Sequence, residues 1–268
     1  MILKTLAMLL FVASPALANY QHCSVAKEYI STYRYLEDQK EFKLNAEQIE
    51  GLSEQVAAGC EGAAKRFAST VDTLVKAQLD SASAIKLGRD LALRNDGAAA
   101  TFLTVFKASY AADFLDLDLF QSMNQARALT LDIEEVPRWL ERDFKTLARL
   151  CVQDLEIPRP KCATFVTNLI SRVIKMETIG DEPAETGIAA VFTEGLDFLV
   201  KSDEGPKLAR FNALQLMEQL ISMTPKAYYE FRGVYDFVRE REKRPLSRKD
   251  ALNYALKLAK SSKLSKKM

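Results

Sequence analysis

The sequence predicts an all-α fold built from about six helix pairs, and three observations predict it. The first is a recurring frame: an apolar or aromatic residue, another four places on, a charge directly after that, and an apolar residue at the seventh place. It reads Phe231/Tyr235/Asp236/Val238, Phe192/Leu196/Asp197/Leu199, Phe67/Val71/Asp72/Leu74, Leu140/Phe144/Lys145/Leu147 and Tyr29/Tyr33/Arg34/Leu36. A sixth copy, Phe102/Phe106/Lys107, carries Ser109 in its last place and is the weakest. Places i, i+4 and i+7 share one face of a helix. The second observation is spacing: the leading residues fall at 29, 67, 102, 140, 192 and 231, so four of the five steps are 35 to 39 residues. Any amphipathic helix offers the apolar pattern, so the period and the constant place of the charge carry the weight. The third is composition. Hydrophobic residues make up 48% with only 10 Gly and 8 Pro, and no stretch keeps the alternation a half-buried strand needs.

In chain order, residues 1–18 read as a cleaved secretory signal peptide. Lys4 gives the positive region, residues 6–12 the apolar region, and Ala16-Leu17-Ala18 the small-x-small cleavage site. The apolar run falls short of the roughly 20 residues that span a bilayer. The mature chain is expected to begin at Asn19, and Tyr20-Gln21-His22 ahead of Cys23 do not fit a lipid-attachment signal. No later stretch reads as transmembrane, and no Asn-x-Ser/Thr sequon occurs. The expected destination is periplasmic or secreted, with a bacterial envelope favoured over a eukaryotic secretory route.

Each frame is followed by a second helix. Asn45 before 46–57, Asp118 before 119–129 and Ser247 before 248–258 each follow a leucine and supply an oxygen for the free N–H groups of a first turn. Small residues on these second helices, Gly88, Ala126 and Ala255, would let helices approach closely. The pairs fall at roughly 22–58, 60–93, 98–130, 135–176, 184–222 and 225–262. If the frames stack, the charges Arg34, Asp72, Lys107, Lys145, Asp197 and Asp236 should line up in a column. The one long step contains the acidic, Pro- and Gly-bearing stretch 177–187, a connector or candidate joint within a helical repeat domain covering 19–262. Residues 263–268 form a basic tail.

This helix-pair layout, with units near the ~34–47-residue periods of such repeats, resembles the HEAT-like and related α-solenoid class. The resemblance rests on period and pair order alone. It implies an α-solenoid-like right-handed stack of about six helix pairs.

Four cysteines in an exported chain should be oxidised. They allow three connectivities. Cys23 and Cys60 are almost one repeat apart, and Cys151 and Cys162 flank the rigid turn Glu156-Ile157-Pro158-Arg159-Pro160, which favours Cys23–Cys60 and Cys151–Cys162. A metal site is the weaker alternative, because no Cys-x-x-Cys pair exists and His22 is the only histidine. With one histidine, Ser-His-Asp and Cys-His catalysis have no base. Carboxylate chemistry stays open, since glycoside cleavage needs two placed carboxyls; the acidic clusters are Glu134-Glu135, Asp116/Asp118 and Glu182/Glu185.

The chain's net charge is +1 but unevenly spread: residues 239–268 hold eleven Lys/Arg against Glu240, Glu242 and Asp250. Lys257, Lys260, Lys263, Lys266 and Lys267 are the candidate contacts for an anionic surface, such as lipid or an acidic partner. They lack interleaved aromatics, so nucleic acid is not expected. The expected function is therefore non-enzymatic and cofactor-free: binding of a protein or peptide partner on a helical-repeat surface. The alternatives are a carboxylate-dependent peptidoglycan hydrolase or accessory factor, and a structural or immunity-type protein that inhibits an exported partner. An apolar groove would favour the first, and two carboxylates ~5–10 Å apart in a cleft the hydrolase.

Overall fold

A computed structural model describes residues 24–177, 187–224, 226–241 and 244–261. Among them the chain is all-α. Twelve helices form six consecutive pairs: α1 (Val25–Asp38) with α2 (Ala46–Ala57), α3 (Ala63–Lys76) with α4 (Ser81–Ala92), α5 (Asp96–Tyr110) with α6 (Leu119–Ala128), α7 (Leu140–Arg149) with α8 (Arg159–Glu177), α9 (Ile188–Val200) with α10 (Arg210–Met223), and α11 (Ala227–Glu240) with α12 (Arg248–Ser261). The six pairs are the ones the period marks out. His22, Cys23, nearly all of 177–187 and the tail 263–268 lie outside the described residues.

The helix entries follow from local chemistry. Asn45 and Gln48 form a reciprocal capping box at 2.9 Å in each direction. Asp118 accepts from the Gln121 N–H at 2.8 Å, and Ser247 from the Asp250 N–H at 3.1 Å. Asp80 caps α4 in the same way through the Ser83 N–H at 2.9 Å. Hydrogen bonding to the Ser83 backbone holds the Asp80 carboxyl below the ordinary aspartate range.

The frames build the core. Phe67, Phe102, Leu140, Phe192 and Phe231 are fully buried, together with Val71, Phe144, Tyr235 and the apolar residues closing each frame. The weakest copy is repaired by hydrogen bonding: buried Ser109 donates to the Gln125 side chain at 2.7 Å, and Gln125 donates in turn to the Ala163 carbonyl and the Thr167 hydroxyl of α8. The first copy is rotated by one residue, because α1 buries Glu28, Thr32 and Leu36 and leaves Tyr29 and Tyr33 half-exposed. Gly88 acts as expected of a close approach. A Cβ there would sit 2.7 Å from Val71 and 3.3 Å from Phe67, so only glycine lets α4 lie this near α3.

The chain divides into two compact units, one ending at Asn95 and the other beginning at Asp96. Asn95 is the non-helical residue directly before α5. In the first unit α1 packs on α3 and α2 on α4. In the second, α5 packs on α7, α7 on α9, and α8 on α10. Side chains join α9 to α11, with the Phe198 and Tyr235 rings edge-on at 5.5 Å. Within each unit, then, consecutive pairs stack first helix on first helix in the solenoid manner.

Within each unit the expected charge column does not form. Asp72 accepts from the Tyr35 hydroxyl at 2.7 Å and not from Arg34. Lys145 and Asp197 pair within their own helices, with Glu141 and Lys201. In the second unit two polar contacts between first helices lie one turn earlier. Thr104 donates to Glu141 at 2.8 Å, and Arg232 pairs with Glu194. In both, the second residue after one leading residue meets the first residue after the next.

Candidate functional site

An apolar groove of about 390 Å³ opens in the second unit, between the loop after α7 and the start of α10. One wall is the stretch containing Leu155, Glu156, Ile157 and Pro158; α8 adds Lys161 and Phe165, and α10 adds Arg210, Phe211 and Leu214.

The loop wall is pinned by covalent and backbone bonds. α7 ends in a π-helical turn, Leu150–Asp154. The Leu155 N–H then donates to the Leu150 carbonyl at 3.0 Å, and the Ile157 N–H to the Cys151 carbonyl at 3.2 Å. Glu156 takes a left-handed conformation at φ 52°, which turns the chain back before Pro158. The disulfide Cys151–Cys162 closes the loop, with Cα atoms 5.7 Å apart and both cysteines fully buried. This is one of the two expected bonds. Cys60 is also disulfide-bonded, and its expected partner Cys23 lies outside the described residues.

The floor is tied to the repeat core, because Phe165 packs its ring on Phe192 at 5.5 Å. The opposite wall is unusual. α10 buries Ala213, Leu214, Leu216, Met217, Leu220 and Ile221, while Phe211 stands on the far side of that stripe and is 65% exposed. A phenylalanine off its helix's apolar face is a signal present in the sequence but invisible to a search for repeated frames. Glu156, Lys161 and Arg210 are exposed at the rim.

A second groove, of about 440 Å³, lies between α1 and α3 in the first unit. Its two inner polar side chains, Glu28 and Tyr35, are already used internally. Buried Glu28 accepts from the Ala64 N–H at 2.8 Å and the Gly62 N–H at 3.1 Å, capping α3 from a neighbouring helix. The Tyr35 hydroxyl, held well above its ordinary pKa by burial and by Asp72, is committed to that carboxylate. Asp143 repeats the device in the second unit, accepting from the Ala189 N–H at the start of α9.

The acidic clusters are dispersed. Glu134 and Glu135 are exposed, Asp116 is paired with Arg159 at 2.9 Å, Asp118 is the α6 cap, and Glu182 and Glu185 lie outside the described residues. Among the described residues no group of three or more His, Cys, Asp or Glu is placed to hold a metal ion, and no helix is long and apolar enough to cross a membrane. Of the tail lysines, Lys257 and Lys260 lie exposed on α12, and Lys263, Lys266 and Lys267 lie outside the described residues. Tyr254 and Leu258, 48% and 40% exposed, flank Lys257 on one face of the helix. Comparisons with family models, curated proteins and solved structures find no match to this chain.

Proposed function

We propose that this is an exported, non-enzymatic helical-repeat protein that binds a protein or peptide partner through the groove between the disulfide loop and α10. The observation that carries the reading is Phe211. A large ring left in water beside Leu155, Ile157 and Pro158 costs solvation free energy that a partner's apolar side chain would recover. A groove with an apolar floor and a few charged groups at its rim is the usual form of a binding site. Export is supported by the leader pattern at 1–18 and by the buried Cys151–Cys162 bond, which an oxidising compartment maintains.

The test is selection of displayed random peptides on the oxidised chain, followed by rebinding to Phe211→Ser. Apolar peptides that bind the parent and lose at least tenfold on the variant are expected. Peptides indifferent to the substitution, or none enriched, would contradict the reading.

A weaker contact with anionic lipid is favoured by Tyr254 and Leu258, which stand beside Lys257 as on helices that lie in a membrane interface. Sedimentation with vesicles containing anionic lipid should fall when Lys257 and Lys260 become Gln. Unchanged sedimentation would remove this contact from the proposal.

A further inference from the structure

In three frames the sixth residue after the leading one is aromatic: Tyr35 in α1, Phe198 in α9 and Phe237 in α11. Thr73, Ala108 and Thr146 stand there in the others. Tyr35 reaches the next first helix, edge-on to Phe67 at 5.8 Å with its hydroxyl on Asp72. Phe198 does the same. It is buried edge-on to Tyr235 at 5.5 Å, with the Arg232 guanidinium 5.0 Å from its ring centre. Phe237 has no next helix and is 70% exposed. Tyr229, Arg232 and Tyr235 turn toward α9, which places Phe237 and half-buried Val234 on the opposite face of α11. The end of a helical-repeat stack ordinarily carries a polar outer face. This end keeps a seam aromatic.

The first helix has the complementary gap. Glu28 and Tyr35 of α1 turn toward α3, which leaves Ile30, Tyr33 and Glu37 on the far face, with Ile30 48% exposed and Tyr33 half-buried. Tyr33 holds in its frame the place that Tyr235 holds in the last one. The charges match as well: residues 24–58 hold four Lys/Arg against seven Asp/Glu, and residues 225–261 hold ten against five. We propose that a second copy of this chain covers Phe237. The α1 face of one copy stacks on the α11 face of the other, so that Tyr33 meets Phe237 as Tyr235 meets Phe198. First helices run parallel at the internal seam, since Glu194 meets Arg232 and, one turn on, Phe198 meets Tyr235. The same direction brings the Glu37 end of α1 to the basic end of α11. Because two different faces meet, each copy added leaves one face of each kind open. No residue of this contact lines the groove at α10.

Sedimentation velocity of the oxidised chain over a concentration series tests it, with Phe237→Glu and Tyr33→Glu as variants. The parent should grow past the mass of two chains as concentration rises. Each variant alone should associate at least tenfold more weakly, because a glutamate replaces one of the two rings that meet. An equimolar mixture of the variants should form a species of two chains and stop there. One intact α1 face then meets one intact α11 face, and the outer faces each carry a glutamate. A parent that stays at the mass of one chain up to its solubility limit would overturn the proposal, leaving Phe237 to a different partner. A Tyr33→Glu variant that still pairs as the parent does would also overturn it, in favour of contact between like faces. So would a mixture that stays at the mass of one chain. Thermal melts of both variants, expected to match the parent, separate lost association from lost fold. Ile30→Glu, at a site 48% exposed, replaces Tyr33→Glu in the mixture if the latter melts early.

Discussion

Two grooves of similar size lie in the two units, and they differ in what their polar atoms are doing. In the α1/α3 groove, Glu28 is spent on the Gly62 and Ala64 N–H groups and Tyr35 on Asp72. In the groove at α10 the wall is Leu155, Ile157, Pro158, Phe165 and Phe211, and the first turn of α10 has no side-chain cap. The lesson is that volume does not identify a site. A cavity whose hydrogen-bonding groups satisfy one another is part of the scaffold, whereas exposed rings and uncapped helix starts have interactions still to make.

The largest expected effect separates the two kinds of phenylalanine. Phe67→Ala should destabilise the chain by about 3–5 kcal/mol, because the ring is fully buried. Phe211→Ser should stay within roughly 0.5 kcal/mol of the parent and act on binding alone. Urea denaturation of both variants checks the contrast, and a large loss for Phe211→Ser would mean that its ring is structural.

This contrast also marks what could be read from the sequence. Phe67, Phe102 and Leu140 follow one another at steps of 35 and 38 residues and are all fully buried, so period and burial agree and the six pairs are legible. Asn45, Asp118 and Ser247 are legible because a cap acts over three residues. The groove is not, because its walls come from a loop at 155–158 and a helix start at 210, separated in the chain by α8 and α9. Glu28 and Asp143 escaped for a different reason: an acid is expected in water, and only the fold reveals that each meets another helix's free N–H groups. The charge column failed because exposed ions find partners within their own helix, one turn away, more readily than across a seam.

The next effect tests the interhelix caps. Glu28→Ala strands the Gly62 and Ala64 N–H groups and should cost about 1–3 kcal/mol, while Glu28→Gln, which keeps an acceptor, should cost less. Equal losses would assign the effect to charge and not to hydrogen bonding. Replacing Cys151 and Cys162 together by Ala should lower stability by about 2–3 kcal/mol for so short a loop. It should also weaken peptide binding, because residues 155–158 and 161 lie inside that loop. Undiminished affinity would show that the groove wall holds its shape without the bond.

Smaller effects sharpen the account. The buried Tyr235 hydroxyl has no hydrogen-bond partner among the described residues, so Tyr235→Phe should be neutral or stabilising by up to about 1 kcal/mol. A clear loss by thermal melting would reveal a partner. Asp80 has a lowered carboxyl pKa in the folded chain, so its contribution is complete above the ordinary aspartate range and is lost as pH falls through the folded value. Asp80→Asn, still able to cap, should reduce the acid sensitivity of stability. An unchanged pH profile would show that the Asp80 charge does not contribute.

The most direct test of the central claim compares the grooves in one experiment. A selected peptide is titrated into the isotopically labelled, oxidised chain, and backbone amide shifts are followed by nuclear magnetic resonance. Perturbations should concentrate at Leu155, Glu156, Ile157, Lys161, Phe165 and from Arg210 to Leu214, leaving Glu28, Tyr35, Gly62 and Ala64 still. Perturbation centred on the α1/α3 groove, with Phe211 unmoved, would contradict the account.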